Sequence, residues 1–143
     1  MSAGQVYATR KFTFSAAHRY WRAEWSPAEN HRVFGSLTVP HGHNYVLEVT
    51  IRGSVDAQTG MVMDLAELKR VVSDAVIQRF DHADLNADTL FAQGAIPTTE
   101  NVVRAAWELL APKLGQERLW RLRLWEDPTF CVEYFGHADH GGT

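Results

Sequence analysis

Two histidines separated by one glycine are the pattern in this sequence that points most directly to chemistry. His41 and His43 begin a run with an apolar period of two, which predicts a β-strand from His41 to Ile51. Residues i and i+2 of a strand point to the same face about 7 Å apart, so both imidazoles can bind one metal ion. Gly42 allows another backbone or a ligand to approach closely. A pair of strand histidines that only form hydrogen bonds is the alternative, and these residues alone leave both open.

A third histidine extends this pattern to a complete ligand set. His18 ends the first predicted strand, Val6 to His18, on the face that carries its apolar residues. If that strand pairs with the strand that begins at His41, the third imidazole arrives beside the other two. Three histidines leave the fourth position of a tetrahedral Zn²⁺ open, which is typical of catalytic rather than structural zinc sites.

Asp81 and His82 form a second candidate site, directly after a predicted helix that ends near Phe80. A carboxylate beside an imidazole orients the ring and raises its basicity, which suits general acid–base catalysis. The alternative is structural, because the dipole of a helix favours a histidine at its C-terminus and an aspartate there caps a turn. The sequence leaves both interpretations open.

A third group of candidates lies near the end of the chain. Glu126 is in step with Leu122 and Leu124 along a predicted strand, so its carboxylate is expected to point toward the apolar face, where it needs a partner or a ligand. The other interpretation places it in water at the strand end. The segment 98–100, Thr-Thr-Glu, is most simply the N-terminal cap of the following helix.

These candidates have to be positioned by a small number of elements. Alternating apolar residues predict strands, and an apolar period of 3.6 predicts helices. The predicted strands are Val6–His18, His41–Ile51, Leu119–Glu126 and Phe130–Phe135, and the predicted helices run from Asp64 to Phe80 and from Thr98 or Thr99 to Leu114. Residues 20–40 form a long connection and residues 81–97 a polar loop. This order, ββααββ, predicts an α+β domain with a four-stranded antiparallel sheet and both helices on one face.

Composition limits the class of protein. The chain has 143 residues, and we expect one domain over 1–143, because 45% hydrophobic and 22% charged residues are typical of a globular protein. A net charge of −3 argues against nucleic-acid partners. No apolar run approaches the roughly 18 residues of a membrane helix, and the first ten residues have no signal-peptide core. We therefore expect neither nucleic acid nor membrane as a partner.

The single cysteine and the remaining histidines give weaker signals. Cys131 cannot form an internal disulfide, which favours the reducing cytoplasm, and its place in the last strand indicates a small core residue. His31 in the long connection stays an open candidate. His137 and His140 lie in a Gly-rich tail that is expected to be solvated.

Taken together, these pieces resemble the family of 6-pyruvoyl- and 6-carboxy-tetrahydropterin synthases. Five ordered motifs carry the resemblance: FSAAH at 14–18, PHGHNY at 40–45, GMVMDL at 60–65, FDHADLN at 80–86 and PTTEN at 97–101. The resemblance implies the tunnelling fold, in which three subunits close their sheets into a barrel and two trimers stack into a homohexamer. It also implies 7,8-dihydroneopterin triphosphate as the substrate, converted to a 6-pyruvoyl or 6-carboxy tetrahydropterin.

The resemblance also implies roles for the candidate residues. His18, His41 and His43 would hold a catalytic zinc ion. Asp81 and His82 would match the acid–base pair of the family. Binding of the pterin ring would fall to four residues, with Glu126 as the carboxylate anchor: Glu126, Thr98, Thr99 and Glu100.

One position departs from the family pattern. The family usually has F-G-x-C-x-x-x-H-G-H, with the thiolate as a base, and here Leu37 occupies the cysteine position at the same spacing. Leucine cannot accept a proton, and Cys131 belongs to another strand. The candidate replacement bases are Glu24, Glu29 and His31. Two alternatives follow: a zinc-containing pterin-binding protein without turnover, or an enzyme that cleaves the side chain to 6-hydroxymethyl-dihydropterin, as relatives with a glutamate base do.

Overall fold

The structure, a computed structural model, describes residues 4–136. The strands are β1 (Val6–His18), β2 (His41–Gly53), β3 (Ala83–Asp84), β4 (Leu119–Asp127) and β5 (Phe130–Tyr134). The helices are α1 (Pro27–Phe34), α2 (Leu65–Val72), α3 (Gln78–Phe80) and α4 (Thr99–Leu114). A π-helical turn, Ser73–Ile77, joins α2 to α3. The predictions for His137 and His140 lie outside the described residues.

The sheet and the two long helical segments form the α+β arrangement that the sequence predicts. The strand order is β3-β1-β2-β4-β5, with β1–β2, β2–β4 and β4–β5 antiparallel. Inward residues of the sheet such as Leu47 and Leu122 are buried in one cluster with Val72 of α2 and Val103 of α4. Both helical segments therefore cover the same face of the sheet, as predicted. The candidate residues lie at the ends of the strands, beyond that core.

The pairing of β1 with β2 sets the position of the histidines. His18 lies opposite His41, and Ala16 lies opposite His43. A Cβ atom on Gly42 would lie 3.3 Å from the Ala16 carbonyl oxygen, so the glycine allows the close approach of the neighbouring backbone. The expected close approach at Gly42 is thus to β1.

Within residues 4–136 the sheet has five strands rather than the predicted four. The extra strand, β3, is two residues long, lies in the predicted polar loop and runs parallel to β1. It is held there because the backbone N–H of His82 donates to the Ser15 carbonyl, at 2.5 Å. Two residues are too short to show an alternating pattern, so periodicity could not find this strand.

The long connection also contains a helix that the prediction missed. Ser26 caps α1, since its side chain accepts a hydrogen bond from the Glu29 backbone N–H, and Pro27 is the first helical residue. The buried side chain of Asn30 ties the segment together through hydrogen bonds to the Arg22 backbone on both its amide atoms. The Ser-Pro pair was the available signal for this helix.

The interpretation of Cys131 as a core residue is wrong. Its neighbour Val132 packs against the core, and strand alternation directs Cys131 to the other face, where it is half-buried opposite Trp125. A single apolar side chain between two others shows that a strand is present but not which of its faces is buried.

Candidate functional site

Three imidazoles meet where β1 and β2 end. One ring nitrogen of each of His18, His41 and His43 lies within 4.8 Å of the others. The ring centroid of His18 is 4.5 Å from that of His41 and 5.1 Å from that of His43. The prediction that strand pairing brings a third imidazole to the His41–His43 pair is confirmed.

Backbone carbonyl groups fix the tautomers of two of these rings. The Nδ1 atom of His18 lies 2.7 Å from the Pro97 carbonyl oxygen, and that of His41 lies 2.7 Å from the Val39 carbonyl oxygen. A carbonyl oxygen only accepts, so each Nδ1 donates its proton. The Nε2 lone pairs are therefore free to bind a ligand, with the carbonyl groups in the outer position that metal-binding histidines favour.

The nitrogen atoms of this cluster fit a metal ion. Among residues 4–136, no hydrogen-bond partner lies within reach of the buried Nε2 atoms of His18 and His43. Leaving a buried polar atom unpaired costs about 1–3 kcal/mol. Burial is the main cause that lowers the pKa of His18, against the opposing hydrogen bond to Pro97, and the neighbouring His41 and His43 lower it further. Neutral imidazoles with unpaired nitrogen atoms are the form that binds a metal ion.

A carboxylate borders the histidine cluster. The Oε1 atom of Glu126 lies 3.6 Å from His43 Nε2 and accepts a hydrogen bond of 2.9 Å from the Thr99 hydroxyl. Thr99 is completely buried, whereas the Glu126 side chain is 20% exposed. The expectation that Glu126 points to the apolar face and finds a partner there is confirmed. Its carboxylate is oriented and remains accessible to a ligand.

The neighbouring residues of the 98–100 segment have different surroundings. Thr98 caps α4 by accepting a hydrogen bond of 3.1 Å from the Asn101 backbone N–H, as the capping interpretation predicts. Glu100 is exposed in the first turn of α4. The structure thus places Thr99 in contact with the candidate site, whereas Thr98 caps the helix and Glu100 is exposed to solvent.

Asp81 and His82 form a hydrogen-bonded pair at the other side of β1. Asp81 Oδ1 accepts from the Ser15 backbone N–H at 2.9 Å, and Oδ2 lies 3.0 Å from His82 Nδ1. The bond from Ser15 is the main cause that lowers the pKa of Asp81, and the bond to His82 adds to it. His82 has a left-handed backbone with φ of 61°, and its side chain is 84% exposed. It lines the same cleft as His43, with β1 between them.

The candidate replacement bases already have partners of their own. Glu24 is ion-paired with Arg22, and Glu29 accepts a hydrogen bond of 3.0 Å from Arg32. The pKa of Glu24 is lowered by a backbone hydrogen bond and by Arg22, and that of Glu29 is lowered by Arg32. Both carboxylates are therefore poor proton acceptors at neutral pH.

His31 and Leu37, the other two residues of interest in the long connection, have different surroundings. His31 Nδ1 lies 3.2 Å from the Thr38 hydroxyl, and the His31 ring contacts the Trp21 ring at a centroid distance of 5.8 Å. Leu37 lies on the short turn Gly35–Thr38 and is 41% exposed. Its carbonyl oxygen accepts a hydrogen bond of 2.9 Å from the Tyr20 backbone N–H.

Tyr20 is a residue of this site that sequence reasoning missed. Its ring centroid lies 5.3 Å from that of His18 and 6.5 Å from that of His41. Burial, followed by the negative charge of Glu126, raises the pKa of Tyr20 to about 12. The signal was its spacing of two from His18, which keeps both side chains on one face if the extended backbone continues past the predicted strand end.

Comparisons with known proteins place this site in a family. A sequence model of the 6-pyruvoyl tetrahydropterin synthase family matches residues 7–137. The chain belongs to this family. Human 6-pyruvoyl tetrahydrobiopterin synthase is 37% identical over 134 residues, which cover 92% of each chain. The solved structure of 6-pyruvoyl tetrahydropterin synthase from Caenorhabditis elegans has a TM-score of 0.87 and 36% identity, and the match covers 95% of this chain and 99% of that one.

One relative of the chain is named for a different activity. Dihydroneopterin monophosphate aldolase from Pyrococcus furiosus is 36% identical over 136 residues, covering 93% of this chain and 97% of the relative. Membership of this family of pterin-processing enzymes and its α+β tunnelling fold are thus confirmed. Within residues 4–136, the structure has no helix that is long and apolar enough to cross a membrane.

Proposed function

We propose that the protein is a zinc-dependent lyase that acts on 7,8-dihydroneopterin triphosphate or a near relative and yields a 6-carboxy or 6-pyruvoyl tetrahydropterin. The observation that carries the proposal is the short distance between a three-histidine ligand set and an oriented carboxylate, 3.6 Å from His43 Nε2 to Glu126 Oε1. At this distance one substrate can contact both groups. Its N–H donors would bind the carboxylate, and oxygen atoms of its side chain would bind a metal ion held by the histidines.

The histidines and the carboxylate would each bind a different part of the substrate. His18, His41 and His43 would hold the zinc ion, which when bound polarises oxygen atoms of the substrate side chain. Glu126 would accept hydrogen bonds from the amino and ring N–H groups of the pterin, with Thr99 fixing its orientation. Thr98 and Glu100 would complete the border of the ring pocket.

Asp81 and His82 would move the proton. Because Asp81 Oδ2 lies 3.0 Å from His82 Nδ1, Nδ1 would carry the proton of that bond and Nε2 would keep a lone pair. His82 Nε2 would accept a proton from the substrate and return it, while Asp81 stabilises the charged ring. The exposure of His82 gives a substrate access to this nitrogen atom.

Leu37 favours a second candidate function. A reaction that needs a base on both sides of the substrate would lack one of them at Leu37, and the Pyrococcus furiosus relative is named as an aldolase. Cleavage of the carbon–carbon bond of the side chain, giving 6-hydroxymethyl-dihydropterin, is the corresponding reaction. A third candidate, pterin binding without turnover, remains an outcome of the test.

Turnover with product identification separates the three candidates. The zinc-loaded protein is incubated with dihydroneopterin triphosphate and, in parallel, with the monophosphate, and the products are identified by mass spectrometry. A 6-carboxy or 6-pyruvoyl product supports the synthase, and a 6-hydroxymethyl product supports the aldolase. Tight pterin binding with no turnover above the background of free zinc contradicts both enzymes.

Leu37→Cys tests whether the missing thiol limits the synthase reaction. We expect this variant to increase formation of the 6-pyruvoyl or 6-carboxy product, because it restores a base at the position used by the family. Ser36→Cys, one residue earlier on the same exposed turn, is the matched control and should have no effect. If Leu37→Cys stays at the level of the control, the absent base is not what limits turnover.

We also propose that the chain assembles into a homohexamer of two stacked trimers, in the cytoplasm. The support is that β3 and β5 are the edge strands of the described sheet, and an edge strand can pair with a strand of another subunit. Light scattering after size-exclusion chromatography measures the mass directly. A monomer at micromolar concentration contradicts this proposal.

A further inference from the structure

The segment 81–86, which carries the Asp81–His82 pair, lies along the end of β1. Its parallel pairing with β1 is two residues long and ends at Asp84, opposite Ala17. A 3₁₀ turn, Leu85–Ala87, follows directly. Because each hydrogen bond contributes only modestly to stability, so short a pairing holds the segment weakly by itself.

The side chain of Asn86 continues this pairing beyond the strand. Its Oδ1 atom accepts a hydrogen bond of 2.8 Å from the Arg19 backbone N–H, and its Nδ2 atom donates one of 3.0 Å to the Arg19 carbonyl oxygen. Asn86 and Arg19 are 67 positions apart, the same separation as between Ala83 and Ala16 in the parallel pair. The amide group of Asn86 thus takes the place of a backbone peptide group in the same register.

Side chains therefore hold the segment 81–86 at both of its ends. At the first end, Asp81 Oδ1 accepts from the Ser15 backbone N–H at 2.9 Å. At the far end, Asn86 binds Arg19, and the intervening Leu85 is completely buried in the core. Burial is non-directional and sets only the depth of the segment, whereas hydrogen bonds depend on distance and angle and set its position along β1.

We propose that Asn86 is a positioning residue for proton transfer by His82. By fixing the register of the segment 81–86 on β1, its amide group keeps the His82 ring at the cleft that His43 and Ser15 also line. The role in turnover rests on the proposed function, because it takes His82 as the proton carrier. Asn86 itself contacts only the backbone of Arg19 and is assigned no step of the reaction.

The histidine cluster has supports of its own. His18 pairs with His41 of β2, and its Nδ1 is bound to the Pro97 carbonyl group. Loss of the Asn86 side chain should therefore shift His82 relative to the cluster while the ligand nitrogen atoms stay in place. The proposal thus predicts a lower catalytic rate at unchanged zinc content.

Asn30 provides a matched control in the same chain. Its Oδ1 accepts from the Arg22 backbone N–H at 2.7 Å, and its Nδ2 donates to the Arg22 carbonyl oxygen at 3.0 Å, the same arrangement as between Asn86 and Arg19. This second pair of bonds holds the long connection rather than the segment 81–86. Asn30→Ala therefore measures the cost of losing such a pair of bonds where no proton carrier is attached.

Kinetics and hydrogen exchange on the zinc-loaded protein test the proposal. We expect Asn86→Ala to lower kcat about 10- to 100-fold with KM within about 2-fold, since a displacement of about 1 Å has an effect of this order. Hydrogen–deuterium exchange, followed by mass spectrometry, should become about 10-fold faster in the segment 81–86, which includes the His82 N–H bonded to Ser15. Zinc content, from elemental analysis, should not change.

Two further variants complete the experiment, at a temperature well below the unfolding of each. Asn30→Ala should lower thermal stability but leave kcat and the exchange of the segment 81–86 at wild-type values. Asn86→Asp keeps the acceptor for the Arg19 N–H and loses only the donor. It should give values between those of Asn86→Ala and the wild type, and it serves as the test if Asn86→Ala does not fold.

The outcomes distinguish this inference from the proposed function. If the wild-type protein turns over and Asn86→Ala lowers kcat no more than Asn30→Ala does, the inference fails and the proposed function stands. Wild-type exchange in the segment 81–86, or loss of zinc in Asn86→Ala, also overturns the inference. If the wild-type protein does not turn over, the proposed function fails, and faster exchange confined to the Asn86 variants still supports the placement of His82 by Asn86.

Discussion

The histidine cluster and the Asp81–His82 pair show two opposite ways to hold an imidazole. His18 is 1% exposed, its Nδ1 is bound to a backbone carbonyl group, and its buried Nε2 has no hydrogen-bond partner in the described part of the chain. His82 is 84% exposed and is oriented by a carboxylate side chain. The ring of His18 is held by buried contacts before any ligand arrives, and the ring of His82 lies largely in solvent.

The difference follows from what each proposed role requires. A metal ligand must offer a neutral lone pair at a fixed place, and burial among other histidines keeps His18 neutral. A proton carrier must gain and lose charge, which burial would oppose. Exposure on a left-handed turn at the sheet edge leaves His82 solvated, while Asp81 supplies a nearby negative charge. The histidine cluster is therefore rigid and desolvated, whereas the Asp81–His82 pair is accessible to solvent.

Removing one ligand from the histidine cluster is expected to have the largest effect. His41→Ala should lower zinc affinity by more than the roughly 10- to 100-fold that loss of an outer hydrogen-bond partner costs, because the ligand itself is lost. His41 is half-buried, so the fold should survive. Metal content is measured by elemental analysis, with His31→Ala as the control. A full complement of zinc in His41→Ala would contradict the three-histidine site.

His82→Gln is expected to separate the two regions. Turnover should fall by about 10²- to 10⁴-fold, the usual contribution of general acid–base catalysis, whereas zinc content and thermal stability stay at wild-type values. Steady-state kinetics and elemental analysis on the same preparation check both statements. Loss of zinc in this variant would show that the two regions are not independent.

Gly42→Ala should disturb the cluster through the distance between strands. The added Cβ would lie 3.3 Å from the Ala16 carbonyl oxygen, so β1 and β2 must shift slightly apart near His41 and His43. We expect zinc affinity to fall by roughly 10-fold and the free energy of unfolding by about 1 kcal/mol. Metal titration and urea unfolding measure the two quantities. Gly60→Ala, on an exposed turn with φ of 73°, is the control for zinc affinity: alanine is strained there, so the variant should lose stability yet keep its zinc affinity.

Asp81→Asn is expected to have the smallest effect. It should lower the stability of the fold near neutral pH but not at acidic pH. Because the folded pKa of Asp81 lies below its ordinary value of 3.8, the carboxylate stabilises the protein above that pH. This contribution is lost as the pH falls through the lowered pKa. The wild-type protein should therefore unfold at higher urea than Asp81→Asn at pH 7, and the difference should shrink below about pH 4. A difference that stays constant with pH would show that the ionised carboxylate is not responsible.

The two regions also differ in how far the sequence predicted them. The period of two in β1 and β2 predicts both strands and the meeting of His18 with His41, because strand alternation follows directly from residue type. The carbonyl partners at Val39 and Pro97 could not be predicted, since every residue has a carbonyl group.

Local backbone geometry limited the rest of the prediction. The adjacency of Asp81 and His82 predicts their hydrogen bond, but nothing in the residue types predicts the left-handed backbone of His82 or the short strand that follows it. The position of Tyr20 depends on how the long connection folds back to Leu37, and only tertiary contacts decide that path.

The carbonyl groups that hold His18 and His41 have a consequence for how this protein tolerates mutation. A side-chain partner can be lost through a single substitution, whereas the oxygen atoms at Val39 and Pro97 persist whichever residue occupies those positions. Substitutions in the surrounding loops therefore leave the tautomers of His18 and His41 unchanged as long as the backbone keeps its path. The side chains at positions 39 and 97 can accordingly vary without removing the acceptors that orient His41 and His18.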